Sequence, residues 1–274
     1  MRFGIVIPGH EPYHTSEYLR TVAEAADKHE LDVVLIWDHY NLPWSNSTID
    51  AWIALSYMAS ITEKTLLGTC VTPIPFRPPP QLAKIIASLD NLSGGRIILG
   101  VGAGWHKPEF DGYSRWHGDS ERVSMTLEAI NLITKLWKED KVTFKGKYYQ
   151  THSTILEPKP VQKPYPQMWW GTTGKKMLKA AAKYGTGWIP TTITPSHYKI
   201  LRKQINELLE KHHRREFTYA YADFETRGVE RELADIIEKF RDAGCHLYAM
   251  TWRFTTNESP RMMKWFIDVV SSFR

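Results

Sequence analysis

The sequence predicts an α/β protein built as a (β/α)8 TIM barrel, a single domain over residues 1–274 with an excursion between its fourth and fifth strands. Three observations predict it. Short β-rich runs alternate eight times with longer stretches of helical periodicity. The strand candidates are almost continuously apolar, as expected of strands covered on both faces and so paired in parallel through crossover helices. Eight such units in about 250 residues favour a closed barrel over a doubly wound open sheet, which uses fewer strands.

The elements follow in order. Phe3 to Ile7 reads as a strand, and Thr15 to His29 as a helix with Thr15 or Ser16 as its cap. Val33 to Trp37 is the second strand, and Asp50 to Ser60 a helix that Asp50 can cap. Leu66 to Val71 is the third strand, and Pro80 to Leu92 a helix opened by proline. Ile97 to Val101 is the fourth strand, followed by a long amphipathic helix from Glu121 to Trp137. Val142 to Gln150 alternates like a hairpin edge, and 157–166 is proline-rich, so 140–166 reads as the excursion. The barrel resumes with Met168 to Trp170, a helix from Lys175 to Tyr184, and a sixth strand from Gly187 to Ile189. A helix from Pro195 to Lys211, a strand from Phe217 to Phe224 and a helix from Glu230 to Ala243 come next. Leu247 to Trp252 and Pro260 to Phe273 complete the eighth unit.

Composition narrows the function classes. Lys plus Arg is 35 and Asp plus Glu 30, a modest basic excess of +5 spread along the chain. The densest run, Lys211 to Arg215, reads as the solvated end of a helix, where cations suit the dipole. No stacking aromatics are interleaved with it, which argues against a nucleic-acid partner. Two cysteines, Cys70 and Cys245, cannot form a disulfide framework and fit a reducing interior. No stretch approaches 18 apolar residues and no signal peptide is legible, so a cytoplasmic protein without membrane contact is expected. His10 with His14, and His212 with His213, lack convergent carboxylates at ligand spacing, so no metal site is expected.

A barrel builds its site at the C-terminal ends of its strands. After the second strand comes Trp37-Asp38-His39-Tyr40-Asn41-Leu42-Pro43-Trp44. An isolated Asp-His pair reads as a turn cap beside a structural imidazole. Here Trp37, Tyr40 and Trp44 crowd around it and favour a pocket for a flat ring, with a histidine able to shuttle protons. After the third strand, Gly68-Thr69-Cys70-Val71-Thr72-Pro73 reads as a rigid exit. After the fourth, Gly100-Val101-Gly102-Ala103-Gly104-Trp105 lets backbone approach a planar ligand closely, a better reading than a dinucleotide fingerprint. After the fifth, Gly171-Thr172-Thr173-Gly174 enters a helix directly and suits either a phosphate or an ordinary cap. His106 and His117 lie in the loop after the fourth strand, where either could face substrate.

Four stretches together resemble the luciferase-like monooxygenase family, which includes flavin-dependent monooxygenases and deazaflavin (coenzyme F-420) dependent enzymes. They are VVLIWDHYNLPW (33–44), the segment 66–105 ending in LDNLSGGRIILGVGAGW, LEPKPVQKPYPQMWWGTTG (156–174) and KYGTGWIP (183–190). The resemblance implies a barrel holding an isoalloxazine-type ring over a bulge at Cys70-Val71, often joined by a cis peptide. Thr69, Gly102, Gly104 and Trp105 would then contact the cofactor, and Gly171, Thr172, Thr173 and Gly174 would hold its phosphate. Asp38-His39…Trp44 is similar to the deazaflavin-dependent dehydrogenases. By that likeness His39 is the base, Asp38 its orienting partner and a cofactor contact, and Trp44 a wall beside the ring. Trp105 stands where the sugar-phosphate dehydrogenases have a glutamate, pointing to a more apolar substrate or a stacked ring. Glu109 could take that glutamate's place only if the loop turns back.

The leading expectation is therefore a hydride transfer between coenzyme F-420 and a small carbonyl, alcohol or activated alkene. An FMN-dependent monooxygenase is the alternative, and a flavin-binding protein without turnover a third. A homodimer is expected from the resemblance alone.

Overall fold

The computed structural model describes residues 1–225 and 230–274. Its barrel strands are β1 (Arg2–Ile7), β2 (Val33–Ile36), β3 (Leu66–Thr69) with its continuation β4 (Thr72–Pro73), and β5 (Ile97–Gly102). The small hairpin β6 (Val142–Lys145) and β7 (Gln150–Thr154) interrupts them. Then come β8 (Gln167–Trp170), β9 (Gly187–Trp188), β10 (Thr218–Asp223) and β11 (Leu247–Thr251). The barrel strands pair in parallel in the order β3-β2-β1-β11-β10-β9-β8-β5-β4, and a β3–β5 pairing closes the ring. The expected eight-stranded barrel is therefore present.

Alternation along each strand explains the unbroken apolar runs. Val33, Leu35, Ile98 and Trp169 join the cluster inside the barrel. Val34, Ile36, Ile97, Leu99, Met168 and Trp170 face the helices in a second, larger cluster. Strand residues pointing to opposite faces thus meet apolar partners on both sides.

The helices that cover the strands are α1 (Ser16–Lys28), α2 (Ala51–Ala59), α3 (Pro79–Leu92), α4 (Lys107–Tyr113) and α5 (Asp119–Lys138). They continue with α6 (Lys175–Tyr184), α7 (Pro195–Lys211), α8 (Glu230–Asp242) and α9 (Ser259–Ser271). Both expected caps form. The Thr15 hydroxyl accepts the Tyr18 N–H at 3.2 Å, and Asp50 accepts those of Trp52 and Ile53 at 2.9 and 3.1 Å. Lys211 closes α7, and its basic neighbours His212, His213 and Arg215 are exposed, as expected of a solvated helix end.

Three local differences matter for the site. The third strand does not run through Val71. It stops at Thr69, passes a cis Cys70–Val71 peptide and resumes at Thr72. Gly68 pairs with Ile98 but Thr72 with Val101, so one extra residue bulges out of the strand there. The segment after the fourth strand, read as loop, contains α4. The hairpin's second arm continues to Thr154, and Glu128 of α5 pins it by accepting the N–H groups of Lys147, Tyr148 and Tyr149 at 2.7–3.0 Å. Among the described residues, no helix is long and apolar enough to cross a membrane, and no group of three or more His, Cys, Asp or Glu could hold a metal ion.

Candidate active site

A cavity of about 620 Å3 opens at the C-terminal ends of the barrel strands. Every predicted site residue except Asp38 and Thr69 lines it: His39, Trp44, Cys70, Val71, Gly102, Gly104, Trp105 and Gly171 to Gly174. Trp37, Leu42, Ile189 and Phe224 add apolar wall, and Arg253 brings a guanidinium. That guanidinium donates to the Phe224 carbonyl at 3.0 Å and lies 5.8 Å from the Trp37 ring. Phe224 and Arg253 were not singled out as site residues in the sequence, although Phe224 directly follows β10 and Arg253 comes two residues after β11.

The floor is made by the bulge. Val71 lies between the two strand ends, and a Cβ on Gly102 would sit 2.5 Å from one of its methyls, one on Gly171 2.8 Å from the other. Both positions are therefore bare for steric reasons, which leaves the backbone exposed to a flat ligand. Burial pushes the Cys70 thiol up to about 12, so it stays neutral and serves as packing. Gly104 has φ +80°, and a Cβ there would meet Phe110 at 2.5 Å, so the chain can turn sharply into α4.

That turn brings in a residue the sequence reading had tied to a returning loop. Glu109, in the first turn of α4, is only 1% exposed. Its carboxylate lies 3.0 and 3.2 Å from His39 Nδ1 and also accepts the backbone N–H groups of Tyr40 and Asn41. A carboxylate offering only lone pairs favours the proton on Nδ1 and leaves the lone pair on Nε2. Trp105 packs edge-to-face on the His39 ring at 5.7 Å. Trp44 stands at the mouth, 60% exposed, edge-on to His10 at 6.5 Å. Burial, with the charge of Arg253 adding to it, lowers the pKa of His10.

Asp38 does not orient His39, which corrects the expectation. Neighbouring residues in an extended segment point to opposite sides, so one of the pair must turn inward. Asp38 is buried and takes both arms of the Arg77 guanidinium at 2.7 and 2.9 Å, together with the Thr72 hydroxyl at 2.8 Å. Arg77 also bonds Asp50 at 2.8 Å, linking the His39 segment to the start of α2. Thr69 lies under the floor as well, accepting the Gly100 N–H at 3.1 Å. Neither residue is placed to touch a ligand in the cavity.

The Gly171–Gly174 loop is held from below. The buried Trp188 indole donates to the Thr172 carbonyl at 2.7 Å, and the Gly174 N–H bonds the Thr172 hydroxyl at 3.2 Å. The first N–H groups of α6 point out of the helix start beside it, where an anion is favoured.

The barrel thus combines a bulged floor, a histidine on the wall and the start of α6 around one cavity. The luciferase-like monooxygenase family model matches residues 1–226, and the chain belongs to that family. It is 33% identical over 196 residues to an F420-dependent glucose-6-phosphate dehydrogenase of Nakamurella multipartita, covering 70% of this chain and 56% of that protein. It is 31% identical over 190 residues to an F420-dependent hydroxymycolic acid dehydrogenase of Mycobacterium tuberculosis, covering 67% and 51%. The chain thus spans about half the length of these curated relatives. A solved F420-dependent secondary alcohol dehydrogenase, in complex with an F420-acetone adduct, superposes with a TM-score of 0.85 at 22% identity, covering 100% of this chain and 99% of the other.

Proposed function

We propose that the protein is a deazaflavin (coenzyme F-420) dependent oxidoreductase that moves a hydride between the cofactor and a small carbonyl, alcohol or activated alkene. The observation that carries the reading is the His39–Glu109 pair on the wall of the same cavity whose floor is Val71 between Gly102 and Gly171. The names of the two relatives above favour the deazaflavin over FMN.

The residues present fit such a cofactor. The bare floor suits a flat ring, and Gly171, Thr172, Thr173 and Gly174 suit its phosphate. A ring bound there supplies the hydride acceptor or donor. His39 Nε2 takes the hydroxyl proton of an alcohol as its C–H bond breaks, and returns it to the carbonyl oxygen in the reverse direction. Glu109 fixes the tautomer and stabilises the imidazolium that results. Trp44, Trp105, Trp37 and Phe224 exclude water and favour an apolar substrate. For a homodimer, exposed Ile53 on α2 and exposed Ile85 and Leu92 on α3, which packs on α2, are available as apolar contacts.

Fluorescence titration with deazaflavin and with FMN, each oxidised and reduced, tests the reading. Tighter binding of the deazaflavin is expected. Preferential binding of reduced FMN would overturn it in favour of the monooxygenase. Glu109→Gln is expected to keep the fold and the cofactor affinity while lowering kcat about 10- to 100-fold, the usual effect of removing the partner that orients a histidine. The amide oxygen can still accept the Tyr40 and Asn41 N–H groups, which share one oxygen of Glu109, but its NH2 then faces His39 Nδ1 and no longer holds a proton there. An unchanged kcat would show that the pair has no part in turnover.

A further inference from the structure

Among the described residues that line the cavity there is no carboxylate, and Arg253 carries the only permanent charge. Much of the remaining wall is aromatic, from Trp37, Trp44, Trp105 and Phe224. Arg253 also forms no ion pair with any Asp or Glu among the described residues, unlike Arg77 and Arg122 nearby in the fold. A guanidinium beside an otherwise apolar space therefore has no internal counterion.

The side chain is exposed, yet it is held. Its Nη1 donates to the Phe224 carbonyl at 3.0 Å, and the guanidinium lies 5.8 Å from the centre of the Trp37 ring. The backbone is fixed as well, because the Tyr13 hydroxyl donates to the Arg253 carbonyl at 3.2 Å. Nε and Nη2 donate to no acceptor among the described residues. A planar fork tied at one nitrogen and free along the rest of its edge is ready to take two oxygens of one anion.

Its place in the barrel decides what those oxygens belong to. β1 alone separates β11 from β2, whereas β9 and β10 both stand between β11 and β8. Arg253 therefore lies on the His39 side of the cavity, away from the Gly171–Gly174 loop that follows β8. His10, which follows β1, sits between the two. Burial lowers its pKa, and the charges of Arg253, His14 and His39 lower it further. With the cofactor's phosphate at the loop, the free fork is left for the substrate. A carboxylate matches it in shape and carries one charge. No lysine or second arginine lines the cavity to offset the second charge of a phosphate.

We propose that Arg253 binds a carboxylate of the substrate, so that the site takes small oxo, hydroxy or unsaturated acids with an apolar body. The inference rests on the hydride-transfer reading above. Arg253 moves no proton in this scheme. It fixes one end of the substrate and leaves the reacting carbon and its oxygen to the ring site and His39, while the aromatic walls take the body. The contact adds affinity and orientation, and because Arg253 is exposed the charge attraction falls with ionic strength.

The test is a calorimetric titration of the protein, both loaded with oxidised deazaflavin and alone, with pyruvate, acetoacetate and levulinate and with the amide of each. The three place the carboxylate progressively further from the ketone. An oxidised cofactor has no hydride to give a ketone, so binding is read without turnover. In either form the wild type is expected to bind at least one carboxylate about 10- to 100-fold more tightly than its amide, the range for a hydrogen bond between charged groups. Arg253→Gln is expected to lose that difference and Arg253→Lys to keep part of it, with thermal melting verifying both folds. If the wild type binds no carboxylate more tightly than its amide, or if the preference survives in Arg253→Gln, the anchor is overturned. Tighter binding of a phosphate ester of the same ketone than of the carboxylate would overturn the carboxylate assignment. The cofactor reading fails separately. A protein that prefers reduced FMN overturns that reading, and an Arg253-dependent preference measured on the protein alone would still uphold the anchor.

Discussion

Replacing His39 with alanine is expected to lower kcat by about 100- to 10,000-fold, the range for loss of a general base. Cofactor affinity should change little, because the floor at Val71 and the loop at Gly171–Gly174 remain. Steady-state turnover of an alcohol substrate and a parallel fluorescence titration separate the two effects. Turnover within a few-fold of wild type would remove His39 from the proton-transfer role. Loss of cofactor binding with turnover would make it a wall residue instead.

The second large effect is on stability. Arg77→Met removes the only guanidinium bonded to Asp38 among the described residues. The Asp38 carboxylate, 1% exposed, would keep the Thr72 hydroxyl as its side-chain partner among the described residues. Breaking a buried pair by removing one partner typically destabilises by about 3–5 kcal/mol. For a chain of this size that corresponds to a fall in Tm of roughly 10 °C. The companion substitution Asp38→Asn should cost less, because Arg77 keeps Asp50. A melting temperature within a degree or two of wild type for Arg77→Met would show that Asp38 finds another partner or takes up a proton.

The barrel was legible because its strands are largely apolar on both faces and several helices carry their own start signals. Thr15 and Asp50 cap where their residue types suggest. The cavity was legible for a related reason: glycines cluster at strand ends only where something must come close, and Gly102 and Gly171 flank Val71 closely. What sequence adjacency could not give was side-chain direction. Asp38 and His39 are neighbours in the chain and face different partners, one toward Arg77 and one toward Glu109.

Glu109 lies 70 residues from His39, in a seven-residue helix containing a proline and a glycine. So short a helix has too little periodicity to announce itself. A proline followed at once by a glutamate was the available signal for a helix start with an acid in its first turn. The bulge at Cys70–Val71 is equally invisible as periodicity, since it is a one-residue change of register that only the partner strand reveals.

The tie between the Trp188 indole and the Thr172 carbonyl has a thermodynamic consequence. A loop already immobilised by a buried donor has surrendered its conformational entropy during folding, so little remains to be lost when an anion arrives. Calorimetry of phosphate-bearing ligands should therefore report a rigid receptor. The entropy of association should be dominated by solvent and ligand, and Trp188→Phe should make it more unfavourable by loosening the loop without touching the ligand.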